Sequence, residues 1–206
     1  MIYPENSCVK LSEEVRKRLS EKRFNHTVSV AECAVKLADF CEPESKFEAE
    51  IASFLHDITK EHSADWHIDL LTREKYSLDS EDVSNPGVLH SFTAPYVIKS
   101  DFREYANDKI LSAARNHTLG APEMTVLDEI VFLADFIEET RTYDASVELR
   151  KYVYGNMKDG QIENNVLILH KACIIAIEKT VINLINTNKP INSKNILTRN
   201  ALLGKI

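Results

Sequence analysis

Ile51-Ala52-Ser53-Phe54-Leu55-His56-Asp57-Ile58 is an apolar run broken by two adjacent metal-grade side chains. Its length and hydrophobicity read as a buried helix. A buried carboxylate without a partner costs several kcal/mol or is forced to protonate. Asp57 therefore needs a counter-charge, and a cation bound with the neighbouring imidazole supplies one. Consecutive helical residues lie about 100° apart, so His56 and Asp57 can reach one ion off that edge of the helix.

Matching donors recur along the chain. His26 shares a 3.6-period face with Val30, Cys33, Ala34, Leu37, Ala38 and Cys41. Asp135 stands alone among Val131-Phe132-Leu133-Ala134 and Phe136-Ile137. His90 and His117 complete a set of four imidazoles and two carboxylates. Singly, each has a plain reading: His26 as a core histidine, His117 as a helix cap, Asp135 as the partner of an Arg or Lys. Together they suit a pair of divalent transition metals rather than calcium or magnesium. Cysteine is absent from the set, unlike most structural zinc sites.

The remaining chain reads as helical. Ser45-Lys46-Phe47-Glu48 has the form of a capping box opening the helix toward His56. Thr72 to Gly87 reads as a loop, and Val88 to Phe102 as a helix through Pro95. Tyr105 to His117 is a further helix, closed by Gly120 and Pro122. Thr125 to Asp128 caps a helix reaching about Glu139. Ile162, Val166, Leu169, Cys173, Ile177, Val181 and Leu184 mark a long amphipathic helix. Hairpin signals are lacking, and five Gly and six Pro are too few for an all-β design. The expectation is an all-α protein with one domain over residues 1–190 and a tail over 191–206.

Composition narrows the function classes. A net charge of −7 argues against broad nucleic-acid or anionic-membrane binding. No apolar stretch approaches 18 residues without charges, and Met1 to Lys10 lacks a leader pattern. Cys8, Cys33, Cys41 and Cys173 form no C-x-x-C pair, which fits a reduced, cytoplasmic protein. Apolar residues on the long C-terminal helix allow a homodimer.

Five motifs carry a resemblance: Arg23-Phe24-Asn25-His26; Phe54-Leu55-His56-Asp57-Ile58-Thr59-Lys60; Leu89-His90-Ser91; Asn116-His117-Thr118-Leu119-Gly120; and Ala134-Asp135-Phe136-Ile137-Glu138-Glu139-Thr140-Arg141. The chain resembles the HD-domain metallohydrolase superfamily and, within it, the YqeK family. The resemblance implies a single HD-type helical domain with a dinuclear metal site. His26, His56, Asp57 and Asp135 would hold one metal. His90 and His117 would hold the second, with Asp57 bridging and taking part in catalysis. Iron is the implied metal, and the ligand chemistry equally accommodates manganese, cobalt or zinc. The implied reaction is symmetrical hydrolysis of diadenosine tetraphosphate to two ADP through a metal-bound hydroxide.

Lys60, four residues after His56, would meet developing phosphate charge if the helix continues. Arg141 suits bidentate phosphate binding, and Thr118 and Gly120 would shape the phosphate approach. His62 and His67, beside Trp66, read as a solvated face or lid, and His170 as structural. Ser-Phe-Thr-Ala-Pro after His90, and Glu139, depart from the family's usual residues and would alter pocket shape. Two other readings stay open: an HD phosphohydrolase for a different nucleotide, and a non-catalytic module with structural metals.

Overall fold

The computed structural model of the protein describes residues 7–206. The first six residues of the expected 1–190 domain, including most of the stretch read as lacking a leader, lie outside the described residues. Eleven α-helices and three short 3-10 turns make up the regular structure, with no strand among the described residues. The all-α expectation holds. No helix there is long and apolar enough to cross a membrane.

The centre is a helical stack. α2 (Glu21–Cys41) packs on α3 (Lys46–Leu55) and α8 (Val126–Ile137), and α10 (Ile162–Asn186) closes over α8 and α2. α1 (Ser7–Arg16) lies against α3, while α7 (Asp108–Asn116) bridges α3 and α8. α8 is buried on nearly every side, matching its almost uninterrupted apolar sequence. Its start is set by a capping box in which Thr125 and Asp128 exchange side-chain and backbone bonds. Ser20 and Asn107 cap α2 and α7 in the same manner with one side-chain bond each.

A second, smaller core sits beside it. α4 (Ala64–Arg73) packs on α6 (Leu89–Asp101) through Leu71, Leu89 and Phe92. α6 runs through Pro95 as expected. α9 (Asp144–Asn156) packs on α10 and α8.

Several local expectations change. Ser45 makes no side-chain cap bond, because a 3-10 turn over Pro43–Ser45 leads directly into α3; its hydroxyl accepts from Lys109 Nζ instead. The Thr72–Gly87 segment contains a one-turn helix, α5 (Ser80–Ser84), capped by Asp79. The helix expected over Tyr105–His117 begins at Asp108, after a 3-10 turn over Arg103–Tyr105.

The largest change concerns residues 191–206, read as a tail. Ser193–Leu203 forms α11, which packs on α10 and buries Asn195, Thr198 and Leu202. Its apolar periodicity is weak because polar anchors hold it. Lys194 pairs with buried Asp82 at 2.8 Å, and Asn192 donates to the same carboxylate. Near the other end Lys205 reaches buried Glu129 at 2.8 Å, which His170 also binds at 2.6 Å. His170 is structural, as read.

Candidate metal centre

Two helices end at the site, and each ends on a histidine. α3 stops at Leu55 and α7 at Asn116, with His56 and His117 as their C-caps. A helix C-terminus leaves carbonyls without intrahelical partners. Both rings use one: His56 Nδ1 donates to Ser53 O at 2.5 Å, and His117 Nδ1 to Ala114 O at 2.8 Å. With the proton on Nδ1, each Nε2 carries a lone pair directed inward. His56 Nε2 is buried and has no hydrogen-bond partner.

His26, on α2, reaches the same state by another route. Its Nδ1 faces the fully buried Glu138 carboxylate at 3.0 Å, leaving Nε2 toward the cluster. Glu138 is itself held by the Thr140 backbone and hydroxyl. Such outer partners fix ring orientation and raise ligand basicity. Arg150 of α9 donates to the carbonyls of Ile137, Glu138 and Arg141, fastening the turn that carries Glu138.

Asp57 lies at the middle, 3% exposed. Its oxygens are divided between two pairs of rings. Oδ2 is 3.8 Å from His26 Nε2 and 3.5 Å from His56 Nε2. Oδ1 is 3.2 Å from His90 Nε2 and 3.6 Å from His117 Nε2. Asp135 Oδ1 lies 3.0 Å from His26 Nε2, yet the angle makes no hydrogen bond. All six sequence-derived candidates thus converge. Two overlapping triads, His26–His56–Asp135 and His56–Asp57–His117, have ligand atoms close enough to hold an ion.

The electrostatics fit cations. Burial pushes the Asp57 and Asp135 carboxyls up, but the surrounding imidazoles, and for Asp135 also Arg141, hold both well below the usual range. Burial lowers His26, yet Asp135 and Glu138 outweigh it and raise the ring to about 9. A positive charge at Nε2 is therefore favoured, whether a proton or a metal supplies it. Burial keeps His90 neutral, down at about 3, and lowers His117 as well. Neutral imidazole is the ligating form. The orphaned Nε2 of His56 and the mixed imidazole–carboxylate donor set fit divalent transition metals.

The other predicted residues fall differently. α3 does not continue to Lys60; residues 56–61 form turns, and Lys60 Nζ meets His90 instead of His56, at 3.2 Å from Nδ1 and 3.1 Å from Nε2. Burial lowers the Lys60 ammonium, with Asp57 and Asp135 opposing. Thr118 Oγ1 lies 2.9 Å from His117 Nε2 and 3.1 Å from His90 Nε2. Arg141 pairs with Asp135 at 2.7 Å rather than chiefly with Glu138.

Gly120 is buried under α11 with φ of +71°, and a Cβ there would run into the Thr198 side chain, so helix packing by itself requires a glycine at this position. His67 is corrected: it is 3% exposed, not solvated. Its Nδ1 meets Thr93 Oγ1 at 2.9 Å, Thr93 meets Thr59 at 2.9 Å, and Thr59 donates to His90 O at 3.0 Å. That buried chain ties the turn after Asp57 to the backbone of His90. His62 is exposed and stacks on Trp66.

Sequence reasoning assigned no role to Arg23, Glu138, Arg150 or the Thr59–Thr93–His67 chain. Two signals were present. Arg23 precedes His26 by three residues and Glu138 follows Asp135 by three, spacings that place side chains together when helical.

The HD domain family matches residues 23–139, spanning every candidate ligand. A symmetrical bis(5'-nucleosyl)-tetraphosphatase of Bacillus subtilis is 32% identical over 190 residues, covering 92% of this chain and 94% of that protein. One of the same description from Staphylococcus aureus is 26% identical over 161 residues, covering 78% of this chain and 79% of its own. A crystal structure from Clostridium acetobutylicum, described as an HD superfamily hydrolase involved in NAD metabolism, superposes with a TM-score of 0.84. It is 28% identical and covers 97% of this chain and 98% of that one.

Proposed function

The chain belongs to the HD domain family, and from that premise we propose that it is a metal-dependent phosphoanhydride hydrolase cutting diadenosine tetraphosphate symmetrically into two ADP. The observation that carries the reading is the division of Asp57: one oxygen faces His26 and His56, the other His90 and His117. A carboxylate so placed suits bridging two ions. His26, His56, Asp57 and Asp135 would hold one, and His90 and His117 with Asp57 the second. Bound there, paired divalent ions supply Lewis acidity and water activated near neutral pH.

The protein's own groups bind and orient. Symmetrical cleavage breaks the bond between the two inner phosphates, so phosphate must be gripped on both sides of it. Arg141 stands at the Asp135 side of the cluster. Lys60 and Thr118 stand at the His90–His117 side. These donors can neutralise charge developing on the transferring and leaving groups without rearrangement at the moment of reaction. Glu138, Ser53 O and Ala114 O hold the ring protons of His26, His56 and His117 on Nδ1. The relatives' stated activity supports the substrate. The reading extends to iron as the metal, a cytoplasmic setting, no nucleic-acid partner, and self-association through the exposed apolar residues of α10 and α11.

The test is anion-exchange separation of the products from diadenosine tetraphosphate, with iron-loaded and metal-free protein. ADP as the sole product, only with metal, is expected. ATP plus AMP would refute the symmetrical cut. Absence of turnover with any metal would refute the substrate.

A further inference from the structure

Beside the cluster, at His26, opens a cavity of about 360 Å³. Its cationic lining is Lys22, Arg23 and Arg141, and Tyr143 forms part of its wall. The volume falls within the range of small-molecule pockets. Two acids also line it, but both are committed: Glu138 to His26 and Thr140, and Glu61 to the backbone and hydroxyl of Ser20.

The two guanidiniums are spent on the cluster itself. Arg23 Nη1 lies 2.8 Å from Asp57 Oδ2, and Arg141 Nη2 lies 2.7 Å from Asp135 Oδ1. Each neutralises a carboxylate that a divalent ion would claim. Ions held by Asp57 and Asp135 would neutralise the same carboxylates and leave the guanidinium charge for a further anion. Arginine's planar fork, placed next to a hydrolytic centre, then matches phosphate oxygens. Tyr143, 55% exposed, accepts a hydrogen bond from Arg141, whose guanidinium carbon stands 5.7 Å from the centre of its ring, and it lines the cavity. An exposed aromatic face within reach of a phosphate grip suits a nucleobase.

We propose that this cavity seats one nucleoside diphosphate half of the substrate, and the ADP released from it, with Arg23 binding its phosphates beside Arg141 and Tyr143 lying against its base. The proposal rests on the dinuclear hydrolase reading. It adds a phosphate-binding role for Arg23 and a base-binding role for Tyr143.

Titration calorimetry of manganese-loaded protein with ADP, inorganic pyrophosphate and adenosine tests it, with metal content measured on each sample. Arg23→Met is expected to weaken both ADP and pyrophosphate about tenfold or more at unchanged metal content, the scale of a lost charge-assisted bond. Arg23→Lys, which keeps the charge on the same scaffold, should lie between Met and wild type, and it carries the test should the Met variant fail to fold. Tyr143→Ala should weaken ADP severalfold and leave pyrophosphate within twofold.

Equal ADP and pyrophosphate binding in wild type and the Arg23 variants would overturn the proposal. So would loss of metal from both Arg23 variants, which would make Arg23 a support of the metal centre. Equal weakening of pyrophosphate by Tyr143→Ala would overturn the base seat. The binding measurement does not depend on turnover. ADP binding that follows this pattern alongside ATP and AMP as products would refute the symmetrical cut and leave the cavity assigned. Symmetrical cleavage with unaltered ADP binding would do the reverse.

Discussion

The two halves of the metal centre are built differently. Around His26, His56 and Asp135, the imidazoles are set in advance: Glu138 and Ser53 O take the Nδ1 protons, and each Nε2 points inward without a hydrogen-bond partner. Around His90 and His117, only His117 has such a partner, Ala114 O. His90 has Lys60 Nζ, a donor, 3.2 Å from Nδ1 and 3.1 Å from Nε2, and its Nε2 meets His117 Nε2 at 2.9 Å. An ion taken by His90 Nε2 would leave the ring proton on Nδ1, facing that ammonium, so Lys60 would have to turn away. The first half is preorganised for an ion, whereas the second would couple ion binding to release of an ammonium that phosphate can use.

Lys60→Met tests this coupling most severely. Turnover should fall about 10²–10³-fold, the cost of losing a preorganised donor to developing charge. Affinity for the second ion should rise severalfold, because no donor opposes the Nδ1 proton. Steady-state kinetics and metal titration followed by calorimetry read the two effects, and weaker binding of the second ion would break the comparison.

Glu138→Gln addresses the other half. Loss of the carboxylate behind His26 should weaken the tighter ion about 10–100-fold, with the weaker ion little changed. Competition with a chelator measures it. Equal loss at both sites would mean that the halves are not separately supported.

Gly120→Ala probes what lies under His117. The left-handed φ and the contact with Thr198 should cost ~2–3 kcal/mol of stability in denaturant unfolding. Both Asn195 and Thr198 bond Leu119 O, so α11 holds the loop just after His117. The second ion should weaken more than the first in this variant.

The smallest effect is expected at His67. Burial, with His62 and Lys60 adding to it, lowers this ring to about 4. Its folded value is below the unfolded one, so the unfolded chain binds more protons between about pH 6.5 and pH 4. Stability is complete above that window and falls as pH drops through it. His67→Leu should flatten the fall and cost ~1 kcal/mol at pH 7.5, since Thr93 loses one of its partners and keeps Thr59. Urea unfolding across pH measures both; an unchanged slope would remove His67 from the account.

The converging side chains were legible in the sequence because isolated acids and imidazoles within apolar segments announce a buried charge that must be compensated. His56–Asp57 and Asp135 needed no more than that, and the motif order extended the set to His90 and His117. Lys60 was legible as a neighbour of the cluster but was set beside His56, since a helix assumed to continue ends at Leu55. Arg23 and Glu138 stood inside the quoted motifs without a role, and their helical spacing to His26 and Asp135 counts for little on charged helices in general.

What the sequence determined by itself was the all-α class and the six metal-grade side chains: periodicity is a local property of the chain, the cost of burying charge marks His56–Asp57 and Asp135, and the family motifs supply the rest. The tertiary structure alone decided which ring nitrogen is free, which carboxylate oxygen serves which pair, and that residues 193–203 belong to the body of the protein. Those depend on partners far apart in the chain: Glu138 lies 112 residues from His26, and Lys194 lies 112 from Asp82. Polar anchors between such distant segments leave no periodic trace, since one hydrogen bond to a buried acid can hold a helix that its own apolar pattern does not announce.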